Sequence, residues 1–470
     1  MQENTIRLKY VATNVTAKIL QLNNHMKEQN PKSSHTSLLG RSFPALKNYS
    51  RATADSPVFP ERSKEPKTLS ISDMKKILMR NRAFLSTMRP RWSAPPDQEM
   101  LDARRQMLNA PMVEDDQELH ALAFWNLSAF KRSYELMEKT LQVYIYKEGE
   151  KPIFHDPMLE GIYASEGWFM KLMEERSKFV VDDPQKAHLF YMPFSSSILR
   201  FSSYVPGPHG KRHLLQYLNS YIQNISAEYS FWNRTGGSDH FFVACHDWVP
   251  YLTRRTMSRS IRVLCNSDTT EGFQLGKDVS LPQVNVLDAL RPPAALAGRP
   301  AGARRFLAFY AGRMHGYLRP TLVRHWQNRD PSMKIFGRMV CGARCRKTYS
   351  RYMQSSKFCI CPRGFQVYSP RVVEAILHGC VPVIISDHYA PPFFEVLNWG
   401  AFSVVVPEAD IPRLKEILSS IPRERYLALQ LAVHKVRRHF LWRRKPVKYD
   451  LFHMILHSVW FNRLNQMSSA

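Results

Sequence analysis

From about Tyr134 onward the chain alternates short, continuous apolar runs with stretches of helical period. "LQVYIY" (Leu141 to Tyr146) is β-rich and stops at Glu148-Gly149. "GWFMKLMEE" repeats as a helix, and "AHLFYMPFS" is apolar enough for a buried strand. "GSDHFFVACHDWV" holds a second such strand at Phe241 to Cys245, and "IRVLCN" a third. Strands fed by helices predict a parallel α/β sheet. "LRPPAALAGRPAGARR" (Leu290 to Arg305) is aperiodic and predicts a domain boundary.

A second α/β series follows. "FLAFYAG" is a strand ending at Gly312, and "RPTLVRHW" opens a helix with Pro320 near its first position. "KFCIC", "SPRVVEAILHG" and "VPVIIS" make a β-α-β unit; "FSVVVPE" is a further strand and "DIPRLKEILSSI" a capped helix. A basic helix over about Arg423 to Phe440 and another over Tyr449 to Asn462 close the chain. The pattern predicts two Rossmann-like domains with a cleft between them, at 134–295 and 296–470. Residues 1–133 are rich in Ser, Asn, Pro, Lys and Arg and predict a largely disordered stem. Two short helices break it: "SISDMKKILMRNRAFL", capped by Ser72 or Asp73, and "DQEMLDARRQMLNA", capped by Asp97.

In "CPRGFQVYSPRVVEAILHG", Ser369 fits an N-cap, Pro370 the first helical residue and Gly379 the C-cap. A helix N-terminus at a sheet's carboxyl edge suits an anion. Arg363 brings charge to that spot, and Gly364 lets backbone come close. Arg371 and Glu374 share the helix face away from the sheet. They read either as a solvated ion pair or as nucleotide ligands, Glu374 on a ribose and Arg363 on a diphosphate. "FYAGRMHGYLRP" supplies a second polar loop after a strand, with Gly312, Arg313, His315 and Gly316.

The chain has 470 residues, 44% of them hydrophobic, and a formal net charge of +26, which suggests a polyanionic partner or substrate. No run is long enough for a membrane helix, and "MQENTIRLKYVATNVTAKIL" lacks the apolar core of a signal peptide. Seven cysteines include the spacings Cys341/Cys345 and Cys359/Cys361, neither of which is a zinc pattern. The sulfurs of "KFCIC" read as buried core thiols; a disulfide involving Cys341 or Cys345 is open in an oxidising compartment. Sequons at Asn14, Asn48, Asn126, Asn224 and Asn233 point toward the secretory pathway.

"YMPFS", "WNRTGGSDHFFVACHDW", "AFYAGRMHGYLRP", "SKFCICPRGFQVYSPRVVEAILHGCVPVIISDHYAPPFFEVLNW" and "LHSVWFNR" closely resemble the plant exostosin-like glycosyltransferases of family 47. The resemblance runs in order over about Tyr134 to Phe461. It implies a GT-B fold with the nucleotide sugar in the C-terminal domain, and an inverting transferase of cell-wall polysaccharide in the Golgi lumen. A UDP-sugar donor, a polysaccharide acceptor (acidic in keeping with the basic charge) and partner glycosyltransferase subunits are expected. No nucleic-acid partner, no cofactor and no metal are expected. Members of that family carry a membrane anchor before the stem; this sequence has the stem alone, so either it is an incomplete chain or it enters the pathway differently.

The chemistry then assigns Arg313, Arg363, Gly364, Ser369, Arg371 and Glu374 to the donor. A general base is expected from the first domain, at Asp247 or His246, with Asp239 and His240 beside them. Two rivals stand. "HKVRRHFLWRRKPVK" (His434 to Lys448) could serve a nucleic-acid- or polyanion-binding protein, although no recognition motif accompanies it. A catalytically inactive GT-B partner subunit is the other, and it would be expected to lose Glu374 or Arg363.

Overall fold

The computed structural model describes residues 68–86, 94–175, 177–207, 210–294, 298–339 and 344–467. Of the disordered stem expected over residues 1–133, the first 67 residues, with Asn14 and Asn48, lie outside them, as does Cys341.

Ser70 starts helix α1 (Ile71–Ser86). Its hydroxyl accepts from the Asp73 amide at 3.1 Å, and the Asp73 carboxylate accepts from the Ser70 amide at 3.3 Å. This reciprocal cap begins earlier than the Ser72 or Asp73 expected from sequence. In α2 (Pro95–Leu108), Asp97 caps from inside the first turn, accepting from the Ala94 amide at 3.0 Å. Neither helix belongs to a stem. Leu69, Met74, Leu78, Met100 and Met107 are buried, Asn81 Nδ2 donates to the Leu275 carbonyl at 2.9 Å, and Asp97 pairs with Arg463 at 3.7 Å. The folded body therefore begins near Leu69 rather than at residue 134, because both helices turn a Met/Leu stripe inward.

The first lobe is a parallel sheet in the order β1 (Val143–Ile145), β2 (Leu189–Tyr191), β3 (His240–Ala244), β4 (Ile261–Leu264), β5 (Val279–Ser280). Around it run α3 (Leu127–Thr140), α4 (Ala164–Glu174), α5 (Ser196–Ser203), α6 (Gly210–Glu228), α7 (Ser230–Thr235) and α8 (Val249–Thr253). Strand alternation splits the aromatics between faces. Phe190 stacks on Phe231 of α7, whereas Tyr191 and Phe241 meet Phe169 of α4.

The second lobe contains β6 (Phe306–Ala311), α9 (Leu318–Trp326), β7 (Met333–Phe336), α10 (Cys345–Ser355), β8 (Ser356–Pro362), α11 (Arg371–Leu377), β9 (Val381–Ile385) and β10 (Val404–Val405). Its parallel sheet runs β10-β9-β8-β6-β7, so the winding reverses between β6 and β8. A reversal of this kind leaves a crevice at the strands' carboxyl ends. The chain then runs through α12 (Leu414–Ser419), α13 (Arg423–Val436) and α14 (Leu451–Gln466). Only the first fourteen residues of the expected basic helix are α-helical; Arg437–Phe440 tighten into a 3₁₀ turn.

α14 corrects the second boundary. It is buried on all sides and packs against β4, β5 and α1–α3 of the first lobe. Inside it, His457 Nε2 bonds the Ser133 hydroxyl at 3.1 Å, and Asn462 Nδ2 donates to the Lys277 and Asp278 carbonyls at 3.2 Å. The last helix thus completes the first lobe, so the 296–470 segment spans both.

The cysteines also differ from expectation. Cys359 and Cys361 both point inward, but Cys359 is bonded to Cys380, and Cys245 to Cys265; among the described residues Cys361 alone stays a buried thiol. Cys345 is disulfide-bonded as well. The Cys359–Cys380 bridge ties β8 to the start of β9 around α11. Among the described residues, no helix is long and apolar enough to cross a membrane.

Candidate functional site

Two loops meet at the crevice of the second lobe: 312–317 after β6, and 363–370 after β8. They touch through glycine. A Cβ on Gly316 would overlap the Gly364 carbonyl, and one on Gly364 would lie 2.9 Å from Arg319 Nη2. Gly316 also adopts φ +71°. A Cβ on Gly312 would overlap Arg371 Nη2, so the Arg371 side chain passes directly over Gly312.

Arg371 is held from below by the Ala311 carbonyl, to which Nε donates at 3.1 Å, and by Ser369 Oγ, 3.3 Å from Nη1. Its guanidinium lies over the Tyr310 ring at 5.3 Å. It is therefore no solvated surface partner of Glu374. Arg319, at the start of α9, is 6% exposed and donates to the Arg313 carbonyl at 3.4 Å, leaving Nε without a partner among the described residues. Burial, and then the positive field of Arg371, draw its pKa down to about 10. The Tyr310 hydroxyl is likewise buried without a hydrogen-bond partner among the described residues. A buried arginine with an unpaired Nε, a half-buried arginine beside it and a buried hydroxyl between strand ends make a pocket suited to an anion. Sequence reading missed Arg319, because one residue before Pro320 it looks like an ordinary first-turn residue of a helix.

Ser369 is 4% exposed, and its oxygen accepts from the Arg371 amide at 3.4 Å; the helix itself begins at Arg371 with Pro370 in the cap position, one residue later than expected. Glu374 accepts from the Tyr349 hydroxyl at 2.7 Å through Oε2; Oε1 has no hydrogen-bond partner among the described residues. The Arg313 side chain is exposed at the pocket's rim. Arg363 is turned toward the other lobe, 4.0 Å from Asp268 and 3.6 Å from Glu408, above the Tyr317 ring. Its charge is already shared with two carboxylates.

Across the cleft stand the carboxyl ends of β3 and β4. The hydroxyl of Tyr368, from the loop after β8, bonds the Asp247 carboxylate and also donates to the Cys245 carbonyl at 3.0 Å. Burial raises the Asp247 pKa, opposed in part by the Tyr368 and Tyr163 hydroxyls. His246 is 8% exposed and its Nδ1 accepts from the Trp248 amide at 3.2 Å. Burial, Arg200 and Lys211 depress its pKa to about 4, so it is neutral, with its proton on Nε2. Asp239 and His240 have no access to the cleft: both are fully buried and bonded to each other at 2.7 Å, with His240 stacked on Phe190.

The basic segment does not make one continuous face. Arg438 pairs with Glu118 at 3.3 Å, and Lys448 lies over the Tyr449 ring, while Arg443, Arg444 and Lys445 are exposed. Among the described residues no group of three or more His, Cys, Asp or Glu side chains is placed to hold a metal ion. Asn126, Asn224 and Asn233 are all exposed; Asn126 also caps α3, accepting from the Ala129 amide at 2.9 Å.

Two parallel α/β lobes meeting at their carboxyl edges, with an anion-suited pocket in the second, are the build of a GT-B-type glycosyltransferase. The chain belongs to the exostosin family of such enzymes: residues 137–421 match the Exostosin GT47 domain. It is 44% identical over 348 residues to a probable glycosyltransferase of Arabidopsis thaliana, covering 73% of this chain and 66% of that protein. A second probable glycosyltransferase of Arabidopsis thaliana is 42% identical over 361 residues, 76% of each chain. A probable beta-1,4-xylosyltransferase of the same plant is 30% identical over 345 residues, 68% of this chain and 81% of that one. The crystal structure of TarM aligns at a TM-score of 0.23 and 9% identity, over 43% of this chain and 52% of that one, too small an overlap to bear on the fold.

Proposed function

We propose that this glycosyltransferase moves a sugar from a nucleoside-diphosphate sugar, of the UDP class, onto a cell-wall polysaccharide in the Golgi lumen, with inversion at the anomeric carbon. The observation that carries this reading is the buried Arg319 beside the half-buried Arg371, at the reversal of the second sheet. They face the leaving diphosphate, Glu374 Oε1 takes a ribose hydroxyl, and the exposed Phe365, stacked on His315 at 5.1 Å, flanks the nucleoside. The acceptor hydroxyl attacks the anomeric carbon as the bond to the diphosphate oxygen breaks. Its proton passes to Asp247, and the electron pair leaves with the diphosphate, whose growing charge the two arginines stabilise. Asp247 is the better base. Neutral His246 has its Nδ1 lone pair engaged by Trp248 and its Nε2 protonated, whereas burial raises the basicity of the Asp247 carboxylate.

Relatives named for xylosyl and glucuronosyl transfer support a polysaccharide acceptor. Disulfides at Cys245–Cys265 and Cys359–Cys380, with three exposed sequons, support an oxidising, glycosylating compartment. The test is thermal denaturation of the full chain with UDP, other nucleotides and UDP-sugars, beside Glu374→Ala and Arg319→Ala. A ligand at 100 times its dissociation constant stabilises by about 2.7 kcal/mol. UDP and one UDP-sugar are expected to raise the melting temperature of the wild type and of neither variant. A wild type indifferent to every nucleotide overturns the reading.

A further inference from the structure

Beyond the donor pocket, the first lobe carries an unexplained patch of rings and cations at the carboxyl ends of β2 and β3. Glu166 builds its base. Fully buried, this carboxylate accepts from the hydroxyls of Ser195 at 2.7 Å and Ser197 at 2.6 Å, and from the Cys245 amide at 2.7 Å. That network pins the start of α5 to the end of β3, which brings Arg200 against Trp248. Arg200 lies 3.9 Å from the Tyr204 ring centre and 4.8 Å from that of Trp248, and those two rings meet edge to face at 5.0 Å. Lys211 sits 4.6 Å from Trp248, and Arg254 4.6 Å from the Tyr251 ring, which is 37% exposed. None of the three cations has an ion-pair partner among the described residues.

We propose that Tyr204, Trp248 and Tyr251, with Arg200, Lys211 and Arg254, form the acceptor platform, and that it takes a polysaccharide bearing uronate carboxylates. The proposal rests on the transferase reading above. Aromatic faces pack against the C–H faces of sugar rings. The cations, spared any protein carboxylate, are free to bind carboxylates spaced along the polymer, and Arg does so bidentately. Position agrees with the chemistry. Trp248 follows Asp247 directly and packs against His246 at 5.3 Å, so a chain lying on the platform delivers a hydroxyl to Asp247. The field of Arg200 and Lys211 already reaches His246. The overall charge of +26 favours capture of a polyanion.

The test measures binding of a ten-residue oligogalacturonate, its fully methyl-esterified form and a ten-residue oligothymidylate to the full chain by calorimetry. The proteins are the wild type, Arg200→Gln/Lys211→Gln and Trp248→Ala, and each is also melted with and without UDP. The free acid is expected to bind at least tenfold more tightly than the ester. The double variant is expected to lose that difference while keeping the UDP shift, and Trp248→Ala to weaken acid and ester alike. Because Lys211 is exposed and Arg200 only half-buried, the double variant tests the claim even if Trp248→Ala misfolds. Equal binding of acid and ester, or a double variant that binds as the wild type does, overturns the proposal. So does tighter binding of oligothymidylate that is lost in the same variant, which marks a nucleic-acid surface. If no protein responds to UDP while the acid behaves as expected, the uronate site stands and the transferase reading falls.

Discussion

At the scale of single residues, the site depends on atoms that are missing as much as on those present. Gly312 has no Cβ because Arg371 Nη2 occupies that space. Gly312→Ala is therefore expected to displace Arg371 from its seat on the Ala311 carbonyl and weaken UDP binding at least tenfold by calorimetry. The melting temperature without ligand should move little, because the loop lies at the surface. Unchanged affinity would remove Arg371 from the donor pocket. Asp247 makes a pH prediction. Its carboxyl is raised by burial, and a base works only when deprotonated, so kcat/KM falls as pH drops through that raised value, above the ordinary range near 3.9. The Tyr368 hydroxyl favours the carboxylate, so Tyr368→Phe raises the pKa further and shifts the acid limb to higher pH. Asp247→Asn should cost about 10²- to 10⁴-fold in kcat. An acid limb that ignores Tyr368→Phe means another group is titrating. The polar loops, with Ser369 and Glu374, were legible in the sequence because strand, loop and helix start are contiguous. Arg319 was not, since its burial depends on the distant 363–370 loop bringing Gly364 against it; nor was the Tyr368–Asp247 contact, which joins separate lobes.

At the scale of elements, the β8–α11–β9 unit is the part that sequence pattern described best. Its apolar runs are continuous and its helix is punctuated by Ser369, Pro370 and Gly379, all of which act locally. Cysteine pairing is not local information. "KFCIC" placed both sulfurs inward, but nothing in that alternation names Cys380, 21 residues on, as the partner of Cys359. Closing a loop of this size restricts the unfolded chain by about 3 kcal/mol in the entropic account. The bridge encloses the 363–370 loop and α11, so its loss loosens the donor pocket first. Cys359→Ser/Cys380→Ser is expected to lower the melting temperature by several degrees and to reduce the UDP-induced shift. The counterpart Cys245→Ser/Cys265→Ser should lower stability while leaving UDP binding intact, because that bridge lies in the other lobe. Loss of the UDP shift in both variants alike would mean that the second bridge has no special hold on the pocket.

At the scale of the whole molecule, the two lobes are not the two halves of the sequence. α14 returns to the first sheet, and α1 and α2 pack with it, so chain from near both ends of the described residues meets on one lobe. Hydrophobic pattern alone did not reveal this. "SISDMKKILMRNRAFL" carries enough Lys and Arg among its apolar residues to pass for a solvated stem helix, and only the tertiary contact of Asn81 with Leu275 and of Asp97 with Arg463 shows otherwise. The consequence is a prediction about truncation. Leu69, Met74, Leu78, Leu85, Met100 and Met107 are all 5% exposed or less. At about 2 kcal/mol each, their burial comes to about 12 kcal/mol, on the scale of a whole domain's net stability. Removing them also uncovers the face of α14 they cover and leaves the buried Arg463 without Asp97. A fragment starting at residue 61 is expected to melt as the full chain does and to keep its response to UDP. One starting at residue 134, at the boundary that the apolar pattern suggests, is expected to aggregate or to melt far lower. Equal melting curves for the two fragments would show that α1 and α2 only decorate the first lobe, and the donor pocket would then have to be explained without their support of α14.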